Sequence, residues 1–393
     1  MNQLKDIFAK ILRPVVFEID LDALRHNFHE VRRLVGNNVR IIPALKCNAY
    51  GFGAFEAAEE VISAGAYGVA VADLYEAIHL RQQGIKAPIL LYANSLPEQA
   101  DKVIAFDLIP TITDIDSARI YSDKAQRPLN IFVKIDVGLN RIGIEPEDAV
   151  AIVESLASLK NLSLAGIYTH FHFSEDGEYM SWQYERFTSA LEDIERKDIK
   201  VPIKMAAATP AVLQNPQTYL NTVDPGRLIF GNPVVEHPKQ AIDLKPVFRS
   251  FKTRIIEIKT LVPRSRFNDI RPFPVINTKT IGIIPIGWGD GYSRAHSSLG
   301  PALVHGKRVA VLGDVDFEHT RIDLTDIPQA KVGDEVVLIG KQGDDEITLE
   351  EIAQIRRTDL HEVCQSIRQQ VPRLYLRDGK AVKLKNLLGE TLL

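Results

Sequence analysis

Cysteine is scarce in this chain. Only Cys47 and Cys364 occur among 393 residues, and they form no C-x-x-C pair. Two distant cysteines make no disulfide framework and no structural zinc site, so we expect a cytoplasmic chain that holds no metal. The segment 1–14 carries Asp6 and Lys10 within its apolar stretch and lacks a small-residue cleavage site, so we expect no signal peptide.

The chain also lacks a large excess of charge of one sign and lacks long apolar runs. The chain has 47 Lys and Arg against 51 Asp and Glu, a net charge of −4, with no basic cluster. A surface for nucleic acid would need a basic stripe, so we expect no such partner. No run of about 18 apolar residues occurs, so we expect no membrane span. Its composition, 45% hydrophobic and 25% charged, is that of a globular chain long enough for a barrel and a smaller domain.

Short β-branched runs alternate with helical patterns over the first part of the chain. The runs lie at 15–20, 40–46, 67–72, 88–93, 108–113, 132–136, 164–171, 203–208 and 221–226. Such alternation predicts a parallel sheet, and eight or nine strands fit a (β/α)₈ barrel of the TIM type. After about residue 240 the apolar runs follow one another without helices, which predicts a mostly β domain. We expect an N-terminal extension over 1–13, the barrel over 14–240 and the C-terminal β domain over 241–393.

The second predicted strand ends in a lysine. Lys46 is followed by Tyr50, Gly51 and Gly53 in the segment ALKCNAYGFG. The carboxyl ends of barrel strands form the mouth where the chemistry takes place, so a lysine there suggests a Schiff base with a cofactor. The two glycines allow a tight turn with accessible backbone, as a phosphate-bearing cofactor needs. The alternative is an ion-paired lysine at a strand end.

With this segment the sequence resembles the alanine racemase family, which are fold-type III pyridoxal phosphate enzymes. The resemblance extends over nearly the whole chain through the segments FEIDLDALRHN, VKIDVGLNRIGI, GIYTHF, IPIGWGDGYSR and VPR. It implies a barrel with a C-terminal β domain, pyridoxal 5'-phosphate as cofactor and an amino acid as substrate. It also implies a homodimer in which the C-terminal domain of each subunit completes the active site of the other.

The resemblance also implies roles for single residues. Lys46 corresponds to the lysine that holds the cofactor and acts as one base. Arg141 corresponds to an arginine on the side of the substrate carboxylate, and Lys134 to a lysine that is often carbamylated. The other implied cofactor-binding positions are Tyr50 at the phosphate, His170 beside the ring, and Thr209, Gly226 and Arg227 around the phosphate.

Without the resemblance these residues have plain structural alternatives. Arg141 and Lys134 are compatible with an ordinary charged rim. His170 is compatible with a histidine of the core, and Thr209 with a cap on the helix that follows it.

Several positions depart from the family pattern. Trp288 stands where the family has a tyrosine as second base, and an indole cannot accept a proton. Asp224 stands where the family usually has an arginine against the pyridine nitrogen, and a carboxylate would favour protonation of that nitrogen. His361 replaces a phosphate-contacting tyrosine, and Phe317 and Glu318 replace a methionine-aspartate pair that binds substrate across the dimer.

We therefore expect a pyridoxal phosphate-dependent racemase of a small amino acid such as alanine. Lys46 would abstract the α-proton, and Tyr292 or His361 would have to replace the missing second base. Asp224 keeps a second possibility open: a lyase, a decarboxylase or a racemase of another amino acid. A third possibility is a cofactor-binding homologue with little catalysis.

Overall fold

The computed structural model describes residues 11–173, 177–263 and 273–392. Its internal contacts divide the chain into two compact units. The barrel unit comprises residues 23–49 and 53–246. The β unit comprises the described residues up to Asp22, the short segment Tyr50–Phe52, and the described residues from Val247 onward. Residues 1–10 of the predicted N-terminal extension lie outside the described residues, and the predicted domain bounds stay a prediction.

The first strand belongs to the β unit. β1 (Val15–Asp20) has apolar side chains on both faces and is buried along nearly its whole length. It pairs antiparallel with Phe248–Arg254 and parallel with Arg373–Arg377. The run 15–20 is therefore a strand, and its hydrogen-bonded partners come from the far end of the sequence.

Eight parallel strands of the described chain form the barrel. They are β2 (Arg40–Ile41), β3 (Val69–Val71), β4 (Ile89–Leu91), β5 (Ile109–Ile112), β6 (Leu129–Lys134), β7 (Leu162–Tyr168), β8 (Ile203–Ala207) and β9 (Thr222–Val223). Their order is β2, β9, β8, β7, β6, β5, β4, β3. A parallel bridge between Ala44 and Ala70 joins the two ends of this sheet. The predicted (β/α)₈ barrel is confirmed.

Helices connect the barrel strands. They are α1 (Leu21–Val35), α2 (Ala54–Ser63), α3 (Leu74–Gln82), α4 (Ala100–Ala105), α5 (Ile115–Lys124), α6 (Ala149–Ala157), α7 (Gly177–Glu195) and α8 (Thr209–Gln214). Asp73 and Asp114 cap α3 and α5, because their carboxylates accept N–H groups of the first turn that have no partner within the helix.

The barrel is filled by apolar side chains from its strands. The buried cluster comprises Ile42, Ala70, Leu90, Phe132, Tyr168, Ile203 and Met205, and Tyr92, Ile109 and Ala165 pack against it. A filled interior leaves the carboxyl ends of the strands as the place for chemistry.

The β unit carries the remaining strands. They are β10 (Phe248–Arg254), β11 (Glu257–Leu261), β12 (Lys279–Ile284), β13 (Pro301–Val304), β14 (Lys307–Ala310), β15 (Thr320–Asp323), β16 (Glu335–Gln342), β17 (Asp345–Ile347), β18 (Arg373–Arg377), β19 (Lys380–Asn386) and β20 (Gly389–Leu392). One sheet runs β14, β13, β16, β10, β1, β18, β19, β20, with β17 on β16, and a smaller one runs β11, β12, β15. Two helices, α9 (Leu349–Arg356) and α10 (Leu360–Ser366), follow β17. The predicted, mostly β C-terminal part is confirmed.

Candidate active site

Charged side chains gather at the carboxyl ends of the barrel strands. Lys134 is the last residue of β6, Asp224 directly follows β9, and Lys46 lies two residues beyond the Ala44–Ala70 bridge. Lys134 and Asp224 are buried, and Lys46 is half-buried. Because all carboxyl ends of a barrel meet at one mouth, these groups share one site.

Asp224 is the buried acid of this site, with only 5% of its surface exposed. Its Oδ2 accepts a hydrogen bond from the Tyr92 hydroxyl at 3.0 Å. Its Oδ1 has no hydrogen-bond partner in the described part of the chain. Burial raises the pKa of Asp224 to about 7, although the Tyr92 hydrogen bond and the charge of Lys46 favour the ionised form. The site therefore holds an acceptor oxygen that lacks a donor.

Burial lowers the pKa of both lysines. For Lys46, repulsion by Arg141 adds to the effect of burial. For Lys134 the same two causes bring the pKa to about 8. Burial and the charges of Lys46 and Arg141 lower the pKa of His170 to about 4, so its ring is neutral at pH 7. A lysine with a lowered pKa keeps a larger neutral fraction, as a nucleophile or proton acceptor requires.

Arg141 lies on a loop that one carboxylate organises. The Asp136 side chain accepts the backbone N–H groups of Gly138, Leu139, Asn140 and Arg141. Burial raises the pKa of Asp136, but these donors outweigh it and the pKa is lowered overall. The Arg141 side chain itself is exposed at the barrel mouth.

The residues after Lys46 form a left-handed turn. Cys47, Asn48, Ala49 and Tyr50 all have φ between 51° and 56°. This conformation is unfavourable for residues with a Cβ, so the turn needs support from its surroundings. Glu76 accepts the backbone N–H of Asn48, and the Asn48 side chain accepts the N–H of Ala54 at 2.9 Å.

Within the β unit, two side chains bind the segment Tyr50–Phe52. The Tyr375 hydroxyl donates to the Phe52 carbonyl at 3.0 Å, and the Arg373 guanidinium donates to the Gly51 carbonyl at 3.3 Å. Gly51 has φ +93°, and a Cβ there would lie 2.9 Å from the Cys364 carbonyl oxygen. The His361 ring lies 5.0 Å from the Tyr50 ring, which brings these two predicted cofactor-binding residues together.

Thr209 joins the segment after Asp224. Its hydroxyl accepts the N–H groups of Gly226 and Leu228, each at 3.2 Å. Ala208 rather than Thr209 is the cap residue of α8. The structure thus brings Thr209 and Gly226 together, and Arg227 follows Gly226 in the chain, while their role at a phosphate stays a prediction.

Trp288 lies on an exposed loop of the β unit. Its ring meets the Phe317 ring edge to face, with centroids 4.3 Å apart, and the two side chains are 42% and 56% exposed. Gly287 makes this approach possible, because a Cβ there would lie 2.2 Å from the Asp316 carbonyl oxygen. The buried Asp290 in the same loop pairs with Arg13 through both carboxylate oxygens, at 2.5 and 2.6 Å.

Sequence comparison identifies the two halves of the chain. Residues 19–233 match the family model for the alanine racemase N-terminal domain, and residues 248–375 match that for the C-terminal domain. The chain belongs to the alanine racemase family. The curated alanine racemase of Halothermothrix orenii is 34% identical over 93% of this chain and 98% of its own length.

Solved structures of the alanine racemase family agree with the fold. Alanine racemase of Clostridium difficile 630 superimposes with a TM-score of 0.88 at 28% identity, covering 96% of this chain and 100% of that one. Alanine racemase of Bacillus anthracis with bound L-Ala-P gives 0.87 at 29% identity, covering 96% and 98%.

Membership of the alanine racemase family confirms the predicted enzyme class and cofactor. The family consists of pyridoxal phosphate-dependent isomerases of amino acids. No helix among the described residues combines the length and the apolar character that a membrane crossing requires. The roles assigned to the individual site residues stay predictions.

Tyr292 is enclosed in the β unit, with 1% of its surface exposed. Its ring stacks on His296 at 4.3 Å, and its hydroxyl has no hydrogen-bond partner in the described chain. Burial raises its pKa further above the ordinary value for a tyrosine. Of the two substitute bases considered above, His361 is the one beside Tyr50.

Four residues that contact the predicted site residues or their backbone were not predicted: Tyr92, Asp136, Glu76 and Arg373. Tyr92 and Asp136 lie at the ends of the predicted runs 88–93 and 132–136, and that position was the signal available. Arg373 belongs to the segment VPR that helps to carry the resemblance, but nothing in that segment indicates its contact with the Gly51 carbonyl. Glu76 gave no signal, because it accepts a backbone N–H distant in sequence.

Proposed function

We propose that this chain is a pyridoxal phosphate-dependent racemase that interconverts L- and D-alanine. The observation that carries the proposal is Lys46, a lysine with a lowered pKa at the barrel mouth, in a chain of the alanine racemase family. The names of the relatives, and the L-Ala-P bound to the Bacillus anthracis enzyme, support alanine as the substrate.

The residues present fit the cofactor. The unpartnered Oδ1 of Asp224 offers an acceptor for a ring nitrogen that carries a proton. Arg141 and Arg227, whose charges both act on Lys46, offer positive charge for the anionic groups of cofactor and substrate. We propose that Tyr50, His361, Thr209, Gly226 and Arg227 hold the phosphate, and that His170 lies beside the ring. When bound, pyridoxal phosphate supplies the electron sink for the pair of electrons left when the α-proton departs.

The chain's own residues handle the substrate and its proton. We propose that Lys46 Nζ takes the α-proton on its face of the substrate. Arg141 holds the substrate carboxylate, and a carbamylated Lys134 would orient the Arg141 guanidinium. The lowered pKa of Lys134 favours its carbamylation, since only the neutral amine reacts with carbon dioxide.

The second face of the substrate needs a partner subunit. We propose a cytoplasmic homodimer in which the exposed Trp288 and Phe317 of one subunit enter the barrel mouth of the other. Their exposure as a fixed aromatic pair supports this proposal. An indole accepts no proton, so His361 is the first candidate for the second base and Tyr292 the second.

The second candidate function is a lyase or decarboxylase acting on the same class of substrate. Asp224 favours it, because a carboxylate against the ring nitrogen strengthens the electron sink beyond what proton transfer needs. A cofactor-binding homologue with little catalysis is the third candidate.

Two measurements test the proposal. Borohydride reduction of the protein with pyridoxal phosphate, followed by peptide mapping, should place the label on Lys46, and label on another lysine would contradict it. Incubation with a panel of L- and D-amino acids, resolved by chiral chromatography and mass, should give the enantiomer of alanine. Loss of mass as carbon dioxide would instead support the second candidate.

A further inference from the structure

Tyr92 makes a hydrogen bond across the barrel mouth. It directly follows β4, whereas its acceptor Asp224 directly follows β9. In the order of the barrel, β3 and β2 lie between these two strands. The contact therefore does not follow from the pairing of adjacent strands. The Tyr92 side chain extends across the ends of the strands to the Asp224 carboxylate.

The Tyr92 ring is held by the barrel core. It packs against the apolar cluster that fills the barrel, and its centroid lies 5.8 Å from that of the Tyr168 ring. The Tyr168 hydroxyl lies 3.2 Å from the Thr111 hydroxyl, so the two phenols have different partners. Packing of the Tyr92 ring thus directs its hydroxyl at Asp224.

The two oxygens of Asp224 are left in different states. Oδ2 is engaged by Tyr92, while Oδ1 is buried and has no partner in the described chain. The charges of Lys46 and Lys134 act on this carboxyl, and Asp224 in turn acts on Tyr168, but none of these three donates a hydrogen bond to it in the structure. A buried acceptor without a donor is unfavourable and indicates a missing group.

We propose that Asp224 Oδ1 accepts the protonated ring nitrogen of pyridoxal phosphate, and that Tyr92 is the positioning residue that fixes Oδ1 for this contact. The inference rests on the proposed function, because it requires the cofactor on Lys46. It assigns to this chain a protonated ring nitrogen, where an arginine at this position would leave the nitrogen without a proton. The burial of Asp224 fits this role. Its carboxylate has lost its hydration, and an ion pair with the protonated ring would compensate for that loss.

The unaltered protein provides the primary test. We would load it with pyridoxal phosphate carrying ¹⁵N in the ring and record the nitrogen resonance at pH 8. A protonated ring nitrogen resonates far upfield of an unprotonated one. The upfield position is the expected result, and an unprotonated nitrogen would overturn the proposal.

Three variants then separate Tyr92 from its surroundings. Asp224→Asn should move the ¹⁵N resonance to the unprotonated position. Tyr92→Phe should weaken cofactor binding by about tenfold, as expected for one hydrogen bond to a charged group. Tyr168→Phe removes a phenol of the same cluster whose hydroxyl bonds to Thr111 rather than to Asp224, and it serves as the matched control with the wild-type resonance and binding.

A measurement without cofactor keeps the role of Tyr92 testable. In the apoprotein, the infrared band of the protonated Asp224 carboxyl should persist to higher pH in Tyr92→Phe than in Tyr168→Phe. Equal titration in the two variants would contradict the positioning role. Absence of borohydride label on Lys46 would defeat the proposed function, whereas a labelled Lys46 with an unprotonated nitrogen would defeat only this inference.

Discussion

A single buried carboxyl group makes the stability of the barrel unit depend on pH. Asp224 has a pKa of about 7 in the folded chain, against an ordinary value of 3.8 for an aspartate. Between these values the folded state binds a proton that the unfolded chain has released. The contribution of Asp224 to stability is therefore full below about pH 4 and is lost as the pH rises through about 7.

We predict that Asp224→Asn raises the unfolding free energy of the apoprotein at pH 8 by about 4 kcal/mol, with little change at pH 4. The measurement is urea unfolding at both pH values. Asp136→Asn provides a control of opposite sign, because the pKa of Asp136 is lowered in the folded state. That variant should lose stability at pH 8 and lose less at pH 4, and equal changes at both pH values for either variant would contradict the assignment.

The identity of residue 288 bears on the rate of racemisation relative to the rate of α-proton exchange. If nothing replaces the tyrosine that the resemblance predicts at position 288, Lys46 exchanges the α-proton but cannot deliver one to the other face. Alanine in D₂O should then gain α-deuterium much faster than it loses chirality, as followed by mass spectrometry and chiral chromatography. Trp288→Tyr should raise racemisation relative to exchange. Equal rates in the unaltered protein would mean that a substitute base exists, and Tyr292→Phe and His361→Asn would identify it.

At the scale of elements, the alternation of strands and helices was readable from the sequence, but sheet membership was not. The run 15–20 has the apolar pattern of a buried strand, and that pattern does not distinguish the barrel from the sheet containing Phe248–Arg254. The left-handed turn over Cys47–Tyr50 was also not readable, since of its four residues only Asn48 is of a type that adopts positive φ readily. Gly51 and Gly53 marked the place of the turn but not its hand.

Gly51 and Gly65 allow strain in this turn to be separated from crowding. Both have positive φ, but a Cβ at Gly51 meets the Cys364 carbonyl at 2.9 Å, whereas nothing lies within 4 Å at Gly65. We predict a loss of unfolding free energy of about 1 kcal/mol for Gly65→Ala and of about 2 to 3 kcal/mol for Gly51→Ala. Only Gly51→Ala should also weaken cofactor binding, measured by titration of absorbance. Equal losses of unfolding free energy in the two variants would show that the Cys364 carbonyl moves away from the new Cβ at little cost.

At the scale of the whole molecule, shared active sites predict complementation between defective subunits. Lys46→Ala removes the base from the barrel, and Gly287→Ala displaces the loop that carries Trp288, because its Cβ meets the Asp316 carbonyl. Each variant alone should be inactive. Refolding them together at equal amounts gives half mixed dimers, each with one intact site, so activity should return to about a quarter of the wild-type value. A fully active monomer by light scattering would refute the shared site.

The ion pair between Arg13 and Asp290 has a practical consequence for how this protein is shortened. A chain that starts at Pro14 would keep β1 and every other strand described above, so its secondary-structure content would be unchanged. It would nevertheless lose the guanidinium that binds both oxygens of Asp290 and the carbonyl of Pro285. Asp290 would then be a buried carboxylate without its cation, and the loop bearing Trp288 would be freed at its base. Such a truncation would therefore leave the fold in place while releasing Trp288, the residue for which the resemblance predicts a tyrosine.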